Sequence, residues 1–312
     1  MSVEKTPLEQ LVEMNARVGK TRKRSARPRD PTAKVEKFYR AQLKSLVRAI
    51  TKEVNEELVP VVKQEKSQYQ VDRDYTADSW SDRILALLSS IDERFIGAGS
   101  IFNQQYERLA QRTVSMAEAE TTQAFVDSVN KAVGVDLNPV LDQEGMRDYL
   151  DVAIKDNVEL IKSVGREHFE RIERAVLGGV RNGDAPSTIA RNIQEATGVS
   201  SRRAALIARD QSAKLTSEIT ERRQTQSGIK YYRAVTSNDS RVTGKPGGKY
   251  PNAKISCWGI ARQDVGYGPG IYRWDKGASW GGKTGLHPGR HHINCRCTAS
   301  PIFEWEIKGN KK

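Results

Sequence analysis

The stretch "ERRQTQSGIKYYRAV", residues 221–235, decides the fold class of this chain. Before Gly228 the apolar residues recur at three- and four-residue steps, which is typical of amphipathic helices. After Gly228 that period disappears, while glycine, tryptophan and tyrosine become frequent. Glycine just beyond the last helical residue is a common helix end. The sequence therefore predicts an α+β protein, in which long helices precede a small glycine-rich, mainly β module.

The region upstream of this boundary reads as a series of helices separated by turn signals. The predicted helices span about 32–71, 78–133 with a break near 97–100, 142–181, 187–196 and 200–228. Pro60 is expected to kink or end the first of them, because proline lacks the N–H donor and clashes with the preceding turn. Gly198 is expected to end the fourth. His168 falls on an apolar stripe, which favours a packing role.

The C-terminal module contains short apolar runs that read as strands. The predicted strands are 229–235, 254–260, 270–274 and 297–303, joined by glycine-rich connections. With the composition of the N-terminus, this gives three predicted parts: a basic, flexible arm over 1–31, a helical region over 32–228, and the module over 229–312.

The chain is strongly basic, with a formal net charge of +12 and a pI near 9.6. Such a charge favours a polyanionic partner, although it also serves solubility alone. The positive charge is densest in "RVGKTRKRSARPRDP", residues 17–31, where we predict nonspecific contact with DNA phosphates. The residues concerned are Arg17, Lys20, Arg22, Lys23, Arg24, Arg27 and Arg29. A solvated tail is the alternative.

Several classes of protein are not expected from this sequence. The start shows no apolar signal region. The longest apolar run, near 84–91, is shorter than the ~20 residues that span a bilayer. Three cysteines do not suit a disulfide framework, so a reducing cytoplasm fits better. We therefore expect no membrane contact.

The stretch "HHINCRC", residues 291–297, gathers two of the three cysteines and two of the four histidines. Cys257, His292, Cys295 and Cys297 could supply the three thiolates and one imidazole of a tetrahedral zinc site. The Cys-x-Cys spacing is tighter than the usual Cys-x₂₋₄-Cys. We therefore favour buried cysteines on the closing strand of the module, with a structural zinc site and a catalytic centre as the alternatives.

Evidence for catalysis is thin. The sequence contains no HExxH, phosphate-loop or GxSxG motif. Asp239 and Arg241, with His287, could form an acid–base group, but an Asp-Ser-Arg turn is more often a local hydrogen-bonded cap. We therefore do not predict an enzyme, and keep a zinc-dependent hydrolase, nuclease or toxin-like domain as the alternative.

Two motifs, "LIARDQSAKLTSEITERRQTQSGIKYYRAVTSNDSRV" (206–242) and "HPGRHHINCRCTASPI" (287–302), resemble the Mu F-like head morphogenesis proteins of tailed bacteriophages. The matching motif residues are Arg209, Asp239, Arg241 and Arg296. The resemblance extends over about 140–303. The family histidine that follows the Asp-x-Arg turn is absent here, where the sequence reads "TGKPGGKY".

The resemblance implies a minor capsid protein. Such a protein would dock on the portal protein or the major capsid protein in several copies per particle, and would contact packaged double-stranded DNA without sequence preference. Its location would be the virion, in the head interior or near the portal, after assembly in the host cytoplasm. A DNA-binding protein with no role in the capsid is a further alternative.

Overall fold

The computed structural model describes residues 6–17, 24–26, 30–64, 77–97, 99–100, 102–141 and 144–308. Its contacts divide the chain into two compact units. The sheet-bearing unit combines Met1–Glu36, Val114–Leu150 and Arg209–Lys312. The helical unit combines Lys37–Thr113 and Asp151–Ala208.

The described helices before the sheet are long. They are α1 (Pro7–Arg17), α2 (Thr32–Glu53), α3 (Ala77–Phe95), α4 (Asn103–Val133), α5 (Glu144–Arg181) and α6 (Pro186–Gln226). The α+β prediction is confirmed, and so are the predicted break between α3 and α4 and the end of the last long helix just before Gly228. No helix in the described ranges is long and apolar enough to cross a bilayer.

The elements after α6 are short. They are β1 (Tyr231–Val235), α7 (Cys257–Ile260), β2 (Ile271–Arg273), β3 (Ala278–Trp280), β4 (Lys283–Leu286), β5 (Thr298–Ile302) and α8 (Glu304–Lys308). Strand β1 lies between β2 and β5 in an antiparallel sheet, and β3 pairs with β4 in a separate hairpin. The strands predicted at 229–235, 270–274 and 297–303 are thereby confirmed.

Three predictions for the module are wrong. Residues 254–260 do not form a strand, because Ser256 caps α7 by accepting a hydrogen bond from the Gly259 N–H at 2.8 Å. The hairpin of β3 and β4 lies in a segment predicted to be a glycine-rich connection. Residues 291–297 form turns ahead of β5 rather than the closing strand itself.

Gly198 does not end a helix, contrary to the sequence prediction, since α6 runs through it without interruption. The buried face of α6 continues past this position with Ile193 before it and Ala204 after it. Burial of that face outweighs the cost of about 1 kcal/mol for glycine within a helix.

Pro60 does not end the helical path either. A π-helical turn, Val54–Leu58, follows α2, and helical residues continue through 59–64. The Val59 N–H donates to the Val54 carbonyl, the wider spacing that defines a π turn. This turn ends two residues before Pro60, where the regular ladder would lose a donor. Residues 65–71 of the predicted helix lie outside the described residues.

The helical unit has an apolar interior formed by two clusters. One contains Ile50, Ile91, Phe95 and Ile172, and the other contains Tyr39, Ile161 and Ala208 among others. His168 lies within this unit, fully buried, with its ring nitrogens 2.9 Å from Thr51 Oγ1 and 3.0 Å from Ser200 Oγ. The predicted packing role of His168 is confirmed.

The sheet-bearing unit has a core drawn from distant parts of the sequence. Leu8 of α1 and Ala26 are buried in one cluster with Phe125 of α4, Ile229 and Phe303. The described parts of the expected N-terminal arm are therefore folded against the C-terminal module. The contact-based units differ from the predicted parts 1–31, 32–228 and 229–312, which remain a sequence-based proposal.

The sheet-bearing unit also contains an ion pair with a fully buried arginine. Arg223 is completely buried near the end of α6 and pairs with Glu118 of α4 at 2.6 Å. Its Nε also donates to Thr122 Oγ1 at 2.9 Å. A buried guanidinium needs such partners, because an unpaired charge in the interior is costly. These bonds tie α4 to α6 within the sheet-bearing unit.

Candidate metal centre

Three cysteines and one histidine meet in the sheet-bearing unit. Cys257, His291, Cys295 and Cys297 are all buried, and their ligand atoms all lie within 4.8 Å of one another. The Cys257 and Cys295 sulfurs are 3.8 Å apart, and the Cys257 sulfur is 3.3 Å from His291 Nδ1. A tetrahedral zinc ion with ordinary bond lengths sets its sulfurs about 3.8 Å apart. The arrangement therefore fits a metal such as zinc.

Local structure brings these side chains together. Cys257 opens α7, and its N–H donates to Thr243 Oγ1 at 3.0 Å. On the other side, Asn294 adopts the left-handed conformation with φ of 60°, and its N–H donates to Asp210 Oδ1 at 2.7 Å. Asparagine tolerates this conformation better than most residues. The tight turn lets the two ends of "HHINCRC" face the same point.

The structure places His291, rather than the predicted His292, among the four closest donors. His292 is nevertheless near, with Nε2 3.2 Å from the Cys257 sulfur and 3.3 Å from Thr243 Oγ1. Its Nδ1 lies 2.8 Å from the Ile293 carbonyl, so the Nδ1–H donates there and Nε2 keeps its lone pair. The cluster thus has a fifth donor beside the four.

The three thiols perturb one another strongly. Contact with Cys295, together with burial, raises the pKa of Cys257 to about 12. Hydrogen bonds from Cys257 and Cys295, together with burial, raise the pKa of Cys297. Burial alone would raise the pKa of Cys295, but hydrogen bonds from Cys257, Cys297 and His291 outweigh it and lower that pKa. The three thiols are therefore strongly coupled to one another around a common point.

The motif residues lie around this cluster in ion pairs. Arg296, between the two cysteines, binds Asp239 through two contacts of 2.7 Å. Asp239 also accepts a hydrogen bond from the Arg241 N–H at 2.8 Å. These contacts, with Arg296 foremost, lower the pKa of Asp239. The Asp-Ser-Arg segment is thus tied to the Cys-Arg-Cys segment, and the local-cap interpretation of Asp239 is supported.

The motif arginine on α6 also forms an ion pair. Arg209 lies near the unit boundary on α6 and pairs with Glu36 of α2, with Nε and Oε1 3.5 Å apart. Arg209 and Arg296 both line a cavity of about 210 Å³ within the sheet-bearing unit. His287 does not join Asp239, because its ring stacks on Trp274 with a centroid separation of 5.6 Å. The proposed acid–base group is therefore not assembled.

Most of the predicted DNA-contacting residues cannot be placed. Lys20, Arg22, Lys23, Arg27 and Arg29 lie outside the described residues. Arg17 is the last residue of α1. Arg24 is exposed, and its N–H donates to the Ala132 carbonyl at 3.0 Å. The next residues, Ser25 and Ala26, are hydrogen-bonded to Glu306 and Ser300.

Sequence reasoning missed two residues that position the cluster. Thr243 binds both the Cys257 N–H and His292, and Asp210 holds the turn at Asn294. Thr243 follows the Asp-Ser-Arg turn, in the segment where the family histidine is absent, and Asp210 had no local signal because its partner is 84 residues away. Only the folded chain shows their roles.

The fold and the cluster together define an α+β protein with a compact module built around three cysteines and a histidine. Residues 170–300 match the family described as "Phage Mu protein F like protein". This segment of the chain is therefore similar to the Mu protein F-like family, as the resemblance of its motifs predicted. The matched segment contains all four donors of the cluster and all four motif residues.

A relative from Haemophilus influenzae (strain ATCC 51907 / DSM 11121 / KW20 / Rd), described as an uncharacterized protein, is 25% identical over 286 residues. The alignment covers 91% of this chain and 57% of the relative. The chain thus spans a little over half the length of this relative. No solved structure matches the chain.

Proposed function

We propose that this chain is a head morphogenesis protein of a tailed bacteriophage, a minor capsid component located in the virion. The observation that carries the proposal is the Mu protein F-like match over 170–300, which includes the whole cluster and its ion-paired surroundings. Its partners would be the portal protein or the major capsid protein. It would be present in several copies per particle and would contact the packaged double-stranded DNA nonspecifically.

The cluster would serve this role as a structural zinc site. Cys257, Cys295, Cys297 and His291 supply four donors, which fill a tetrahedral shell and leave no position for a reacting water. All four side chains are buried. The surrounding module is rich in glycine and has short strands, so a metal would contribute directly to its folding. These features favour a scaffold over a zinc-dependent enzyme.

The proposal is tested by assembly. The full chain would be mixed with purified proheads and, separately, with purified portal rings of the same phage, and bound protein measured after sedimentation. We expect saturable binding to proheads or portal that survives nuclease treatment. If the chain bound neither proheads nor portal rings, a role in the head would be contradicted. If it bound DNA but neither of these, a DNA-binding protein outside the capsid would be favoured.

The alternative of a zinc-dependent enzyme is tested on the same preparation, by comparing the hydrolytic activity of the unaltered chain and a Cys295 variant. Substitution of Cys295 by serine should lower thermal stability and metal content together, because the side chain is completely buried in the cluster. A variant that kept its fold but lost a measurable hydrolytic turnover would instead favour the enzyme.

A further inference from the structure

Most of the chain's net positive charge lies in the C-terminal module, although the charge is densest in the N-terminal arm. Residues 229–312 contain fifteen lysines and arginines but only five acids, so they carry +10 of the chain's net +12. From Ser240 to Gln263 there are five basic residues and no acid. The five are Arg241, Lys245, Lys249, Lys254 and Arg262.

The acids of this module are already engaged elsewhere. Asp239 binds Arg296 and Arg241, Asp275 binds Arg273, and Glu304 binds Lys230. Asp264 accepts hydrogen bonds from two glycine N–H groups, and Glu306 accepts from Ser25 and the Phe303 N–H. Among the described residues, no carboxylate forms an ion pair with Lys245, Lys249 or Arg262. These three charges are therefore uncompensated.

The same cations lie over aromatic rings. The Arg262 guanidinium carbon is 3.1 Å from the centroid of the Trp258 ring, and Lys245 Nζ is 5.4 Å from the same centroid. Lys249 Nζ lies 5.7 Å from the ring of Tyr250, which is 46% exposed. We call these five residues the cationic–aromatic surface.

Backbone bonds hold this surface in place. The Lys249 N–H donates to the Ser240 carbonyl at 2.6 Å, and the Gly244 N–H donates to the Tyr250 carbonyl at 2.9 Å. The Trp258 N–H donates to the Thr243 carbonyl at 3.0 Å. Trp258 also packs against the buried cysteines of the metal cluster. The surface is therefore held by backbone hydrogen bonds and by the packing of Trp258 against the metal cluster.

We infer that the cationic–aromatic surface is where this chain contacts the phosphate backbone of double-stranded DNA, an inference that rests on the proposed function. An arginine stacked by its face on an aromatic ring is oriented in advance and keeps N–H donors at its edge for phosphate. Lysines beside it add point charges whose binding to phosphates releases counterions. No base reading is needed, because phosphate contacts are independent of sequence.

The test compares two charge-matched variants of the full chain. Lys245→Gln/Arg262→Gln removes two cations of the surface, while Lys230→Gln/Arg273→Gln removes two that are paired with Glu304 and Asp275. Affinity for a random-sequence duplex would be measured by fluorescence anisotropy from 50 to 200 mM salt. The first variant should lower the slope of log affinity against log salt by about 1.8, at ~0.9 per phosphate contact. The control should leave the slope within error of the unaltered chain.

The outcomes separate the inference from the function it rests on. Equal losses in both variants would show that only net charge matters and would overturn the inference. Unchanged DNA affinity in the surface variant would also overturn it, and loss of binding to poly-glutamate instead would assign the surface to an acidic protein. Failure of the unaltered chain to bind duplex DNA would remove the DNA contact from the proposed function itself. Equal melting temperatures of both variants would show that folding is intact.

Discussion

At the scale of single residues, the cluster offers two histidines for one position. His291 is 2% exposed and its ligand atom lies within 4.8 Å of all three sulfurs. His292 is not one of these four donors, but its Nε2 lies 3.2 Å from the Cys257 sulfur and its ring is oriented by the Ile293 carbonyl. Asn294, directly before Cys295, has a positive φ of 60° in the turn that follows the two histidines. The sequence placed both histidines beside the cysteines, but it could not show which of the two belongs to the group of four donors.

We predict different zinc contents when each of the two histidines is replaced by alanine. His291→Ala should lose stoichiometric zinc, because it removes a ligand. His292→Ala should keep the zinc with an affinity lowered by about 10–100-fold, as expected for a neighbour that orients ligands. Metal content by mass spectrometry and competition with a chromogenic chelator measure both. If His292→Ala lost the zinc and His291→Ala kept it, His292 would be the ligand.

A second residue-scale prediction concerns acid sensitivity. Burial lowers the pKa of His168 to about 4, below the value of about 6.5 in an unfolded chain. Between these values the unfolded chain binds the extra proton, so stability falls as pH decreases from 6.5 towards 4. At pH 5 the loss should be about 2 kcal/mol relative to pH 7.

This pH effect is isolated by comparison with His168→Gln. Urea unfolding at pH 7 and pH 5 should give a smaller pH-dependent loss of stability in the variant, because glutamine does not titrate. An equal loss in both proteins would show that His168 is not the group responsible.

At the scale of elements, the sequence predicted the long helices well and the short elements poorly. The helical period fixed α4 and α5 to within a few residues, because each buries a continuous face over many turns. The end of α6 was visible because glycine, tryptophan and tyrosine replace the periodic pattern after it. Short elements such as α7 and the β3–β4 hairpin carry too few residues to show a period, and a single capping serine decides α7.

The continuity of α6 is tested at its glycine. Gly198 has no positive φ, whereas Gly183 has φ of 69° in the turn before α6. Gly198→Ala should therefore raise the free energy of unfolding by up to about 1 kcal/mol, because alanine is the better helix former. Gly183→Ala should lower it, since an L-residue is strained at that φ.

Thermal unfolding of the two variants measures the difference. A destabilised Gly198→Ala would indicate that the helix is broken there, as the sequence alone predicted.

At the scale of the whole molecule, the sheet-bearing unit is assembled from three separate parts of the chain. Leu8 of α1 is 5% exposed and shares a cluster with Ile229 and Phe303. The sequence could not show this contact, because α1 and the module are more than 200 residues apart and the basic composition of the N-terminus suggested a free arm. The charge pattern of the sequence likewise drew attention to the basic run at 17–31. It did not indicate the cationic–aromatic surface, because those residues come together only in the folded chain.

The contribution of α1 is tested by matched substitutions in it. Leu8→Asp places a charge in the shared core and should lower the melting temperature, with a cost of about 2 kcal/mol or more. Met14→Asp, at a position that is 63% exposed in the same helix, should have little effect. Equal and small effects of both would mean that the C-terminal module folds without α1.

Three cysteines and a histidine are proposed to hold one metal ion, and metal analysis of the purified, reduced full chain is the direct test. We predict close to one zinc per chain, and a lower melting temperature once a strong chelator has removed it. A folded, reduced protein that contains no stoichiometric metal, and whose melting temperature does not change with chelator or added zinc, would contradict the claim.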